Sequence, residues 1–91
     1  MSRLVQWSSQ FKKDYKNAIR RGLPIEELDD VIRKLAEDIS LPPQMKDHAL
    51  TGNYYNFREC HIKPDWLLIY AKDDRVLTLT LSRTGTHSDL F

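Results

Sequence analysis

Arg75-Val76-Leu77-Thr78-Leu79-Thr80-Leu81-Ser82 alternates without a break, putting Leu77, Leu79 and Leu81 on one face and Thr78, Thr80 and Ser82 on the other. A period of two over eight residues marks a strand buried on one side only. The chain therefore needs a sheet and a layer to cover it. Upstream, residues 54–62 are rich in aromatic and β-forming side chains, and residues 66–71 form a second apolar run. The links Lys63-Pro64-Asp65 and Lys72-Asp73-Asp74 are too short for a crossover, so these three segments are expected to pair as antiparallel neighbours. Downstream, the leucine pattern stops at Ser82, and Arg83-Thr84-Gly85-Thr86-His87-Ser88-Asp89-Leu90-Phe91 follows. A guanidinium, a glycine between two hydroxyls, an imidazole and an aromatic ring are not needed to close a core. Polar chemistry gathered in such a stretch points to a site.

The covering layer lies in the first half. Ser8 and Ser9 offer cap oxygens to a helix on which Phe11, Tyr15, Ala18 and Ile19 form one stripe and Lys12, Lys13, Lys16, Arg20 and Arg21 the rest. Gly22 ends it and Pro24 opens the next. Ile25, Leu28, Val31, Ile32, Leu35 and Ile39 then recur at helical spacing, with Glu26, Glu27, Asp29 and Asp30 in the early turns, where the helix dipole favours anions. Pro42-Pro43 closes this second helix. Two helices with one apolar face each form a hairpin that must lie on a sheet. Leu4-Val5-Gln6-Trp7 could supply a short strand before them, and residues 41–53 read as an ordered loop. The fold class is α+β, in one domain spanning residues 1–91.

Composition narrows the function. A hydrophobic fraction of 41% and a charged fraction of 30% are those of a globular protein. The net charge of +1 means that an anionic partner must be met by a local patch rather than by bulk charge. With Cys60 as the one cysteine, no intramolecular disulfide can form. The longest apolar run is too short to span a bilayer and the first residues lack a signal peptide, so the reading is cytoplasmic, with no membrane partner.

All three histidines fall in the second half: His48 in the loop, His61 near a strand end, and His87 in the last stretch. Imidazole exchanges a proton near neutral pH. One histidine alone is more often structural or solvated; three near strand ends, with Asp65, Arg58 and Arg83 close by, suggest a site. His48, His61, His87 and Asp65 are acceptable zinc ligand types, but none falls at a short ligand-pair spacing and there is no HExxH or CxxC, so neither metal nor other cofactor is expected. Strand alternation puts Cys60 on the face opposite His61, as a core residue. Arg83 shares parity with Leu81, so its stem is expected along the core edge with its head near His87, suited to a phosphate gaining charge. Arg58 is a second such cation. Phe91 is the best ring for stacking a base, while Trp66 stands between base contact and packing, with packing favoured and its indole N–H at the surface. The basic face of the first helix is most simply a solvated face.

Lys46-Asp47-His48-Ala49-Leu50, the run from Phe57 through Arg58, His61, Pro64, Asp65 and Trp66 to Tyr70, and the stretch from Arg83 to Phe91 together resemble the YafQ branch of the RelE/ParE toxin superfamily, bacterial mRNA interferases of type II toxin–antitoxin systems. The resemblance covers nearly the whole chain. It implies two helices on a curved, mainly antiparallel four-stranded sheet, and a ribosome-dependent endoribonuclease that cuts mRNA in the A site and is held inactive by a small antitoxin in a hetero-oligomer. It matches functional positions to His48, His61, Asp65, His87 and Phe91, with Arg83 as a phosphate contact. The gyrase-poisoning ParE relatives lack this histidine set. In chemical terms His87 would be the general acid, and His48 or His61, oriented by Asp65, the general base. The alternative is a binding module of the same fold that acts in an antitoxin complex as a transcriptional co-repressor. A structural subunit with merely solvated histidines is the blandest reading.

Overall fold

Ser8 separates the first strand from the first helix: its hydroxyl accepts the Phe11 N–H at 2.9 Å, and its own N–H continues the ladder to Leu81 O at 3.0 Å. The computed structural model describes residues 2–91. Strand β1 (Leu4–Trp7) is followed by helices α1 (Ser9–Arg20) and α2 (Ile25–Ala36), then β2 (His48–Ala49), β3 (Arg58–Lys63), β4 (Trp66–Asp73), β5 (Thr78–Gly85) and the single-turn helix α3 (His87–Leu90). The sheet order is β1-β5-β4-β3-β2; β1 runs parallel to β5 and the other pairs are antiparallel. The α+β class and the hairpin-on-sheet architecture are as expected. The sheet has five strands rather than four, because His48 and Ala49 leave the loop to pair with Glu59 and Arg58. Short 3-10 turns at Pro43–Met45 and Gly52–Tyr54 order the rest of that loop.

Burial follows strand parity. Phe11, Leu28, Val31, Leu35, Cys60, Leu68, Tyr70, Leu79 and Leu81 form the core between helices and sheet. On the opposite face Leu67, Ile69 and Leu90 make a smaller cluster, flanked by Leu50, Tyr54 and Phe57. Cys60 is the expected core residue, and burial pushes its thiol up to about 12.

The last long strand departs from its sequence pattern at both ends. Leu77, expected on the buried face, sits in the preceding turn with φ of +52°. The strand also continues past Ser82. Tyr70 pairs with Leu81 but Ile69 pairs with Arg83, so Ser82 is an extra residue that resets the alternation. Thr84, not Arg83, therefore takes the next place on the helix side, where it is buried. The expected parity of Arg83 with Leu81 is corrected by this bulge. α2 likewise ends at Ala36, before the expected Ile39, as Asp38 adopts φ of +57°.

Arg3 ties the ends of these elements together. Its buried guanidinium meets Asp38 at 2.8 Å, the carbonyls of Asp73 and Thr78 at 3.3 Å each, and the Asp74 carboxylate.

Candidate active site on the face opposite the helices

Strand alternation turns Glu59 and His61 of β3 away from Arg58, Cys60 and Ile62, onto the face opposite α1 and α2. β2 brings His48 into register with Glu59. One carboxylate oxygen, Glu59 Oε1, lies 3.5 Å from His48 Nε2 and 3.6 Å from His61 Nε2, with the two ring centroids 6.5 Å apart. The Glu59 side chain is 5% exposed, so this carboxylate is shielded by the rings it serves. Each imidazole is also set from behind. His48 Nδ1 meets Lys46 O at 2.6 Å and His61 Nδ1 meets Pro64 O at 3.3 Å. A ring that donates its Nδ1–H to a carbonyl presents Nε2 to Glu59, which selects the tautomer whose Nε2 can take up a proton.

His87 is brought to the same cluster by α3. Thr86 caps that turn, accepting the Asp89 N–H at 3.2 Å while the Asp89 carboxylate accepts the Thr86 N–H at 3.0 Å, a reciprocal capping box. Leu90 anchors the turn in the smaller core. The His87 ring lies 6.0 Å from His61 and 5.9 Å from Phe91, and Phe91 packs edge-on against Tyr54 at 5.6 Å. His48, His61, His87 and Phe91 thus form one continuous row of rings. His87 and Phe91 are largely exposed, whereas the His61 side chain is 15% exposed.

Four of the expected site residues have partners that the sequence did not indicate. Asp65 does not orient His48 or His61: its Oδ1 accepts the His87 backbone N–H at 3.4 Å and lies 3.9 Å from His87 Nδ1. Glu59 has the place expected of Asp65. Arg58 faces the helix side, where its Nε donates to Asp47 Oδ1 at 3.2 Å, an oxygen shared with the Tyr70 hydroxyl at 2.6 Å. Trp66, a candidate substrate contact, is 2% exposed in the main core. Its Nε1–H is buried too, donating to Thr84 Oγ1 at 2.9 Å, and that hydroxyl in turn donates to Leu67 O at 2.7 Å. Arg83 is held by Asp14 of α1 through Nε at 2.7 Å and Nη2 at 3.4 Å. That partner raises its already high pKa further.

Sequence reasoning missed Glu59 and Asp14. Glu59 stands two residues before His61, so the alternation that removed Cys60 from the site could have placed it there. Asp14 falls between Phe11 and Ala18, on the buried side of α1, where an acidic residue requires a buried cationic or N–H partner. On the β1 side of β5 no described strand continues past Trp7, and there Asp14 takes the place of one by accepting the Thr84 N–H at 3.1 Å. Among the described residues no group of three or more His, Cys, Asp or Glu is arranged to hold a metal ion. No helix among them is long and apolar enough to cross a membrane.

Residues 3–91 match a family model described as a bacterial toxin of type II toxin-antitoxin system, YafQ. The mRNA interferase toxin YafQ of Escherichia coli strain K12 is 37% identical over 92 residues, covering 100% of this chain and 98% of that protein. In the crystal structure of the E. coli DinJ-YafQ toxin-antitoxin complex, the matching chain is 37% identical with a TM-score of 0.90, over 100% of this chain and 99% of that one. A metal-bound toxin from Helicobacter pylori is 42% identical with a TM-score of 0.92, over 98% and 99% of the two chains. With the family model spanning all but the first two residues, the chain belongs to the YafQ family of bacterial type II toxin–antitoxin toxins.

Proposed function

We propose that this toxin is a ribosome-dependent endoribonuclease that cuts mRNA in the A site by metal-independent acid–base catalysis, acts in the cytoplasm, and is neutralised by a cognate antitoxin in a hetero-oligomer. The observation that carries the reading is the row of three imidazoles beside the exposed Phe91 ring, on the sheet face opposite α1 and α2. The E. coli relatives' activity and antitoxin complex support it. A co-repressor would have no use for such a row.

The reaction needs a base for the ribose 2′-OH, charge to hold the phosphorane, and an acid for the 5′-oxygen. His48 or His61 takes the 2′-OH proton at Nε2 as the 2′-oxygen attacks phosphorus; Glu59, close to both Nε2 atoms, balances the charge gained. As the P–O5′ bond breaks, His87 gives a proton to the departing 5′-oxygen, leaving a 2′,3′-cyclic phosphate. Asp65 supports the His87 backbone. Phe91 holds a base by stacking. Nη1 is the part of the Arg83 guanidinium that Asp14 does not take, and it is assigned to the phosphate. With a net charge of +1, the protein depends on the ribosome to present mRNA in a fixed pose.

The test uses purified protein with mRNA on programmed ribosomes and with the same mRNA free. Cutting at fixed codon positions on ribosomes, abolished by His87→Ala and unchanged after treatment with a transition-metal chelator, is expected. Equal cutting of free RNA would remove the ribosome from the account, and loss of activity on chelation would remove metal-free catalysis.

A further inference from the structure

The turn that carries His87 is too short to hold itself. A single helical turn has no independent stability in water, so its geometry must be imposed by contacts. Residues two apart on such a turn point about 200° from one another; His87 faces the ring cluster and Asp89 faces back toward α1. There Arg21, at the C-terminal cap of α1, grips Asp89 with both terminal nitrogens, at 2.6 Å to Oδ2 and 3.3 Å to Oδ1.

We infer that Arg21 and Asp89 are positioning residues, a clamp from the end of α1 that holds the His87 ring at the cluster before RNA arrives. An exposed ion pair alone contributes little, but this one is part of a larger arrangement. The same Asp89 carboxylate accepts the Thr86 N–H, so breaking the pair disturbs the cap as well. Gly85 is shaped around it: a Cβ there would come within 2.9 Å of Asp89 Oδ2. The pairs Arg21–Asp89 and Arg83–Asp14 line one cleft of about 190 Å³ between α1 and the end of β5. Both strap the chain segment that leads to His87. The two contacts act on successive parts of that segment, Asp14 on the strand and Arg21 on the turn.

The clamp's catalytic effect rests on the reading of His87 as the acid, so the test has two independent readouts. On programmed ribosomes, Arg21→Gln is expected to lower kcat on the order of tenfold with KM within twofold, as displacement of a positioned acid would. Arg21→Lys should retain most of the rate, and Asp89→Asn should match Arg21→Gln, with the double variant no slower than either. By ¹⁵N relaxation, backbone order parameters for residues 86–91 should fall from about 0.85 to below about 0.6 in Arg21→Gln. Unchanged order parameters would overturn the clamp. So would a KM that rises at constant kcat, since Arg21 would then be touching RNA, or effects that simply add. If the wild type cut no mRNA, the nuclease reading would fail while the relaxation data still judged the clamp.

Discussion

Replacing Asp14 with alanine is expected to cost about 3 kcal/mol, because it removes the acceptor that meets the Thr84 N–H where β1 has ended. The Asp14 side chain is 6% exposed and receives Arg83 Nε at 2.7 Å and the Thr84 N–H at 3.1 Å. Without it, a buried backbone donor has no partner, at roughly 1–3 kcal/mol. The Arg83 side chain, 24% exposed, loses its counter-ion but regains some water, so its share is discounted to about 1 kcal/mol. Urea unfolding followed by tryptophan fluorescence reads this directly. With a slope of roughly 1–2 kcal/mol per molar for a domain of this size, the midpoint should fall by about 1.5–3 M. Arg83→Ala should cost less, since Asp14 keeps the Thr84 N–H and its contact with Gln10 at 3.2 Å. A shift below about 0.3 M for Asp14→Ala, or an equal loss for Arg83→Ala, would refute the role of Asp14 as an edge cap.

Three further outcomes follow from named contacts. Glu59→Gln keeps the shape but removes the charge shared by His48 and His61; kcat on programmed ribosomes should drop on the order of a hundredfold with little change in KM or folding, and an unchanged kcat would exclude Glu59 from the machinery. Lys72, and then Arg3, hold the Asp38 carboxyl down to about 2 from 3.8. Because its folded pKa is depressed, its stabilising effect is present above pH 3.8 and is lost as the pH falls toward 2. Wild type should therefore lose more stability across that window than Asp38→Asn, and parallel losses would be the contrary result. Trp66→Phe should cost about 1–2 kcal/mol through the lost bond to Thr84 and the space left behind, with kcat within twofold; a slower reaction at full stability would return Trp66 to the RNA surface.

What could be read from the chain was periodic and local. The 3.6-residue spacing from Ile25 to Leu35 and the serine before Phe11 located both long helices, and the alternation through Leu79 and Leu81 located the strand they cover. The departures come from non-local pairing. Nothing in the order of residues announces the bulge at Ser82, which is set by the register with β4 and which exchanged the places of Arg83 and Thr84. The fifth strand is two residues long, below the length at which alternation can be seen, and exists because β3 offers it an edge. The histidine positions were legible through their chemistry and through the family resemblance. Their partners were less so: Asp65 is one residue before β4, yet it faces His87, while Glu59 needed only strand parity to be found. Trp66 was expected to show its indole N–H to solvent, but a threonine eighteen residues away provides a buried acceptor.

The most direct trial of the account is to map new mRNA 5′ ends in cells that express the toxin without an antitoxin, comparing wild type with His87→Ala. Ends that fall at a fixed position within codons of translated messages, and vanish with His87→Ala, are expected of imidazoles working on RNA held in the A site. Growth arrest with no new ends, or the same ends from His87→Ala, would contradict it.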